Sequence, residues 1–99
     1  MKILCLDRPL PGATLEKYQP YLLDEVSHAW QSYKNGIIRE IYCRKDRPGV
    51  AIMAECESAE EAKRAFDDLP LVKAGLIEIE AIPLGPFANW EMLFAPQEK

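Results

Sequence analysis

Residues 37–56, IIREIYCRKDRPGVAIMAEC, contain two runs that are rich in β-branched and aromatic residues. The runs 37–44 and 50–56 have the composition of β-strands. Between them, Pro48 and Gly49 occupy the two central positions that a type II turn requires. The stretch therefore predicts an antiparallel hairpin, and the elements on either side of the hairpin decide the fold.

One strand and one helix are predicted before the hairpin. Residues 2–7 are nearly all apolar, as in a strand that is buried on both faces. Apolar side chains then recur at spacings of three and four, which is typical of a helix with one buried stripe; they are Tyr18, Leu22, Val26, Ala29, Trp30 and Tyr33. We expect a loose turn from Thr14, a regular helix from about Pro20, and its end at Asn35-Gly36.

A second helix and a fourth strand are predicted after the hairpin. Ser58 and Glu61 form a capping box, in which each side chain bonds a backbone amide at the start of the helix. This helix is expected to run to about Leu69, where Pro70 discourages its continuation. Residues 76–82 form the last predicted strand, and an apolar tail follows over about residues 83–99.

The order βαββαβ over residues 1–99 predicts a single α+β domain of the ferredoxin-like type, with a four-stranded antiparallel sheet and two helices on one face. Two helices cover only one face, yet the strands lack a clean polar side. The uncovered face is expected to meet the same face of a second copy. We therefore predict a dimeric α/β barrel, as a homodimer or a multiple of dimers.

Composition and charge exclude several classes of function. The net charge of −4 argues against nucleic-acid binding, which needs a basic face. The longest apolar runs are only as long as strands, so we expect no membrane span and no secretory signal, and the cytoplasm as location. The scattered cysteines Cys5, Cys43 and Cys56 disfavour disulfides and a zinc site, and we interpret them as reduced core residues.

Four segments within residues 36–86 carry a resemblance to a known family; they are Ile38-Arg39-Glu40-Ile41-Tyr42, Ser58-Ala59-Glu60-Glu61-Ala62, Leu69-Pro70-Leu71-Val72 and Ile77-Glu78-Ile79-Glu80. Together they resemble muconolactone isomerase, and the Leu-Pro-Leu turn before an acidic strand is the most specific of them. The resemblance implies a ferredoxin-like subunit, dimeric α/β-barrel pairing and assembly into a ring of ten. It also implies a double-bond shift in an unsaturated lactone by proton removal and return, with no metal or organic cofactor.

Two residues are candidates for the catalytic base. His28 is the single histidine, and its ordinary pKa near 6.5 suits general-base catalysis at neutral pH. Its position beside the apolar stripe is equally typical of an exposed surface histidine. Glu80 alternates with apolar residues and would become a proton carrier if its strand face were buried in a dimer. A solvated strand face is the alternative.

Five further residues are candidates for substrate binding; they are Arg39, Tyr42, Tyr33, Trp30 and Glu78. Arg39 is predicted on an apolar strand face, where its guanidinium could hold a substrate carboxylate or form an ion pair with Glu55, Glu78 or Glu80. The aromatic residues could line a pocket or pack in the core. Glu78 lies on the same predicted strand face as Glu80.

The leading hypothesis for function is a cofactor-independent isomerase, or a related proton-transfer enzyme, that acts on a small unsaturated lactone or cyclic acid. A cofactor-free monooxygenase or a cyclase of the same superfamily is the second hypothesis. The third is a homo-oligomer that binds a small ligand without catalysis, because a fold does not determine a function.

Overall fold

Four strands form one antiparallel sheet in a computed structural model that describes residues 1–95. The strands are β1 (Lys2–Pro9), β2 (Ile38–Cys43), β3 (Val50–Glu55) and β4 (Ile77–Leu84), in the spatial order β2-β3-β1-β4. The helices are α1 (Leu15–Tyr18), α2 (Leu22–Lys34), α3 (Ala59–Phe66) and α4 (Pro70–Lys73), and short 3₁₀ segments cover Gln19–Tyr21 and Ala88–Leu93. The predicted ferredoxin-like α+β fold is confirmed.

The core lies between the sheet and its helices. Alternate residues of the strands point toward the helices and are buried there, as the twofold period of a strand requires; the buried apolar residues are Ile3, Cys5, Ile38, Ile52, Ala54, Cys56, Ala62, Phe66, Leu69, Leu71, Ile77 and Ile79. The long helix α2 contributes none of them. The prediction that the apolar stripe of α2 is buried was therefore wrong, because this helix covers its part of the sheet only loosely.

The connection between β2 and β3 differs from the predicted type II turn. Gly49 has a φ of 154°. The N–H of Val50 donates to Asp7 Oδ1 at 3.0 Å instead of closing the turn onto Arg47. A backbone bond from the Arg44 N–H to the Gly49 carbonyl at 2.9 Å closes the loop, and the Asp7 side chain of β1 takes the Val50 N–H that a type II turn would have used.

A β-bulge interrupts the pairing of β2 with β3. Ile38 pairs with Ala54 and Ile41 pairs with Ile52, so the register shifts by one residue between Ile38 and Glu40. Both isoleucines therefore point toward the helices. Arg39 falls in the bulge and is exposed, so the prediction that Arg39 shares a strand face with Ile41 was wrong.

The helix starts were predicted in part. Thr14 caps the short helix α1 by accepting the N–H of Lys17, where we expected a loose turn. Ser58 caps α3 by accepting the N–H of Glu61 at 3.1 Å, as predicted. The Glu61 carboxylate, however, accepts the N–H of Glu57 and not that of Ser58.

Several apolar side chains remain outside the core. Strand β4 continues through Pro83 to Leu84, beyond its predicted end, and the chain then leaves the sheet. Its last described aromatic residues, Phe87, Trp90 and Phe94, are 62%, 63% and 84% exposed. Residues 96–99 of the predicted tail lie outside the described part. Cys43 is exposed, in contrast to the expected core position, whereas Cys5 and Cys56 are buried as predicted.

Candidate functional site

An open groove lies between α2 and the strands β2 and β3. It has a volume of about 470 Å³. Its walls are almost entirely apolar, and they consist of Val26, Ala29, Trp30, Tyr33, Ile41, Tyr42, Cys43 and Val50. The groove exists because α2 does not close onto the sheet at this edge, which leaves one side of the helix in contact with solvent.

A smaller pocket of about 110 Å³ continues the groove toward the core. The two share the wall residues Val26, Ala29, Ile41 and Val50. The bulge in β2 contributes to this junction, because it turns both Ile38 and Ile41 toward the helices. Among all residues that line the groove and this inner pocket, Glu25 is the one with a charged side chain.

Glu25 is held by the opposite wall of the pocket. Its Oε1 accepts the backbone N–H of Leu71 at 3.0 Å, which ties α2 to the first turn of α4. Burial raises the pKa of the Glu25 carboxyl, and the N–H of Leu71 and the charge of His28 oppose this effect. The negative charge of Asp7 on β1 raises the pKa further.

Glu25 is not among the site residues predicted from the sequence. Glu25 lies four residues before Ala29, on the same helix face, because side chains four apart are neighbours on a helix. This spacing puts a carboxyl group within the apolar stripe, and it is the signal from which Glu25 could have been identified.

Three of the predicted binding residues come together in the groove. The rings of Trp30 and Tyr33 stack with centroids 5.6 Å apart and planes 23° from parallel. Tyr42 borders the groove from β2, where its pairing with Ala51 directs its side chain to the sheet face opposite α2, and its hydroxyl donates to Glu40 at 3.1 Å. This hydrogen bond and the charge of Glu40 raise the pKa of Tyr42, which keeps its hydroxyl protonated. Trp30 and Tyr33 thus form a partly exposed aromatic wall on the α2 side of the groove.

His28 and Arg39 do not line this groove. His28 is exposed on α2, one turn beyond Glu25, and influences that carboxyl group through its charge. Arg39 is exposed at the bulge. The pKa of Glu55 is lowered chiefly by the N-terminal ammonium group and to a smaller extent by Arg39, which identifies Glu55 as a neighbouring carboxylate.

Glu78 and Glu80 lie on the opposite face of the sheet. Their neighbour Ile79 lines the inner pocket, so the two glutamates point away from it. Arg8 on β1 contacts both, with nitrogen–oxygen distances of 4.0 Å to Glu78 and 3.4 Å to Glu80. The predicted site residues therefore divide into three at the groove, the two glutamates on the far side of the sheet, and His28 and Arg39 at neither place.

Residues 1–95 contain no cluster of metal-ligating side chains and no helix that could span a membrane. No three or more histidine, cysteine, aspartate and glutamate side chains are grouped closely enough there to hold a metal ion. No helix in this part of the chain is long and apolar enough to cross a membrane.

Comparisons with known proteins identify the fold. No protein-family model matches the sequence, and no curated protein sequence matches it. Among solved structures, one similar chain is the 5-chloro-2-hydroxyhydroquinone dehydrochlorinase TftG from Burkholderia phenoliruptrix, in complex with 2,5-dihydroxybenzoquinone. The two superpose with a TM-score of 0.70 at 18% sequence identity, over 90% of this chain and 98% of that one. At this identity the likeness establishes a shared ferredoxin-like fold.

Proposed function

We propose that the chain is an enzyme that moves a proton on a small unsaturated ring compound, in the manner of muconolactone isomerase and without a cofactor. The groove between α2 and the strands β2 and β3 carries this proposal. Its volume of about 470 Å³ lies within the range of roughly 300–1,000 Å³ that is typical of small-molecule sites. An apolar wall with a few polar groups suits a substrate with one ring and few charges.

The shared fold supports the same class of substrate. The structurally similar dehydrochlorinase is described with 2,5-dihydroxybenzoquinone, which is also a compound with a single unsaturated ring. The Leu69-Pro70-Leu71 turn that resembles muconolactone isomerase lies at the inner pocket, because Leu69 lines it and Leu71 donates its N–H to Glu25. The first observation favours a ring as substrate, and the second puts the resembling turn at the inner pocket.

The direct test is the absorbance of muconolactone in the ultraviolet when the purified protein is added. Isomerisation moves the ring double bond relative to the lactone carbonyl, so a time-dependent change that is proportional to protein concentration supports the proposal. Unchanged absorbance at high protein concentration would exclude muconolactone as a substrate. Oxygen uptake with simple phenols tests the monooxygenase alternative in parallel.

We also propose that two copies pair through the open sheet face, which we define as Leu4, Leu6, Ala51, Met53 and Ile82. These side chains lie on the side of the sheet opposite the helices, since each alternates with a residue that faces the core. The chain exposes 7379 Å² of surface, whereas a compact monomer of 11.3 kDa exposes about 5,700 Å². This surplus on one chain exceeds the roughly 800 Å² that each partner buries in a standard interface.

The tail supports this pairing. Its exposed aromatic residues Phe87, Trp90 and Phe94 follow β4, the strand whose Ile82 belongs to the open sheet face. We propose that they extend the contact between the two copies. The ring of ten that the resemblance implies would be built from such pairs.

A further inference from the structure

The carboxyl group of Glu25 has one oxygen that the fold uses and one that it does not. Oε1 accepts the N–H of Leu71 at 3.0 Å, which satisfies a backbone donor in the first turn of α4. No hydrogen bond from residues 1–95 reaches Oε2. Every fully buried side-chain oxygen and nitrogen in the same residues has a partner, so Oε2 is not sealed inside the protein. It is therefore accessible, and its residue is part of the lining of the inner pocket.

The surroundings of this oxygen are apolar. The inner pocket of about 110 Å³ is lined, apart from Glu25, by aliphatic residues and Phe66. The charged groups that act on Glu25 are Asp7 from β1 and His28 from its own helix, and α4 contributes the N–H of Leu71. Burial is the dominant influence and raises the pKa of the carboxyl, so its neutral form persists to a higher pH than in an exposed glutamate.

We propose that Glu25 is the catalytic acid–base residue of the groove, and that it removes a proton from one ring carbon of the substrate and returns it to another. This inference rests on the proposed function and names the group that performs it. Its basis is the position of one free carboxyl oxygen at the apolar end of the groove. Neither earlier candidate has such a position, because His28 is outside the groove and Glu80 is behind the sheet.

The reaction balances without a co-reactant. In the first step the ring C–H bond breaks and a new O–H bond forms on Oε2, while the released electron pair makes a double bond to the adjacent ring carbon and the displaced pair moves onto the conjugated carbonyl oxygen as an enolate. In the second step the enolate re-forms the carbonyl, and its carbon–carbon pair takes the proton from Oε2 to form a C–H bond at a different ring carbon. The O–H pair stays on Oε2, so the carboxylate is regenerated and the double bond has shifted. One carboxyl group suffices for both transfers if the broken and the new C–H bond project from the same face of the ring.

The charge of Glu25 also limits how a substrate enters. None of the lining residues of the groove or the inner pocket is a cation. A substrate carboxylate at the inner end would therefore lie unpaired beside a second carboxylate, which is unfavourable in an apolar pocket. The substrate class is thus a ring that enters with its apolar, acidic C–H edge first and keeps any carboxylate at the open end.

The test compares Glu25→Gln with Asp24→Asn, which removes a neighbouring exposed carboxylate from the same helix. Glutamine retains an oxygen that accepts the N–H of Leu71, so the fold should survive, and the melting temperature verifies this. With muconolactone, we expect Glu25→Gln to lower kcat by about 10²–10⁴-fold and Asp24→Asn to leave it unchanged. Full activity in Glu25→Gln, or its loss in His28→Ala instead, would overturn the assignment while leaving the isomerase function intact.

A second measurement does not depend on turnover. The carboxyl carbon of Glu25 can be followed by ¹³C NMR in protein labelled at glutamate, with Glu25→Gln used to identify its signal. We expect a titration midpoint above that of the exposed glutamates, and a further rise when phenol is added as a ring probe that displaces water. An ordinary midpoint that phenol leaves unchanged would overturn the role of Glu25. If the midpoint responds to phenol but muconolactone is not converted, muconolactone is excluded as the substrate, and Glu25 remains the ionisable group of the site.

Discussion

The carboxylate of Asp7 accepts the backbone N–H of Val50 at 3.0 Å, and this bond joins the end of β1 to the start of β3. Asp7 is the buried charged residue of the described chain, with 6% of its surface exposed. Arg47 lies 3.7 Å from the same oxygen and also donates to the backbone carbonyl of Asp7. A single aspartate thus organises the hairpin that borders the groove.

Replacement of Asp7 by alanine should destabilise the protein. The change leaves the Val50 N–H and the Arg47 guanidinium without their carboxylate partner in a largely buried position, and we expect a loss of about 2–4 kcal/mol. Urea unfolding measures this difference. Asp46→Ala is the matched control, because Asp46 pairs with Arg44 at the exposed tip and should matter little. Equal effects of the two substitutions would contradict the role given to Asp7.

Gly49→Ala should also destabilise the protein, for a steric reason. A Cβ at this position would lie 2.6 Å from Asp7 Oδ1, and the φ of 154° is one that side chains disfavour. The hairpin would have to move away from Asp7, at a cost of at least about 1 kcal/mol. Gly85→Ala is the control, since nothing lies within 4 Å of a Cβ built there. A melting temperature as high as that of the control would show that the contact is dispensable.

Met53→Lys tests the proposed dimer. Met53 pairs with Leu4 at the centre of the open sheet face, so a charge there should prevent two sheets from packing and shift the protein toward monomers. Sedimentation equilibrium at ten micromolar measures the mass. Leu23→Lys places the same charge on the solvent-exposed side of α2, where Leu23 is 83% exposed, and should leave the mass unchanged. A well-folded 11.3 kDa monomer of the unmodified chain would refute the pairing.

The raised pKa of Glu25 predicts how stability depends on pH. The folded state holds this proton more tightly than the unfolded chain, whose carboxyl has the ordinary pKa of about 4.5. The contribution of Glu25 is therefore most favourable below that value and is lost as the pH rises through the folded-state pKa. The free energy of unfolding of Glu25→Gln, measured relative to that of the unmodified protein, should therefore increase as the pH is raised from acid to neutral. A constant difference across this range would show that the pKa is unshifted.

The sequence was sufficient for the order of the strands along the chain because each strand is an apolar run bounded by glycine, proline or a helix start. Ile3, Cys5, Ile52 and Ile79 all face the helices, as their positions in each strand require. The bulge at Arg39 was not predictable in this way, because an inserted residue leaves the local composition of a strand unchanged. Its position depends on the pairing with β3, which is a long-range contact.

The candidate site was predicted less completely than the fold. Trp30, Tyr33 and Tyr42 were selected for their chemistry, and the groove brings them together. Glu25 was missed because its partial burial depends on where α4 packs, and the Leu71 N–H that holds it is 46 residues away in sequence. The prediction of a type II turn was wrong for a related reason. The Pro48-Gly49 signal is local, whereas Asp7, which accepts the N–H of Val50, is distant in sequence.

The distribution of the three thiols makes the groove accessible to chemical labelling. Cys43 is exposed on the groove wall, whereas Cys5 and Cys56 are buried. Burial, reinforced by the nearby Cys56, raises the pKa of Cys5 to about 11, and burial also raises that of Cys56. Since the thiolate is the reactive form, a maleimide dye should attach to Cys43 alone. The native chain thus carries a built-in attachment point at the mouth of the groove, where an environment-sensitive fluorophore would report the entry of a ligand.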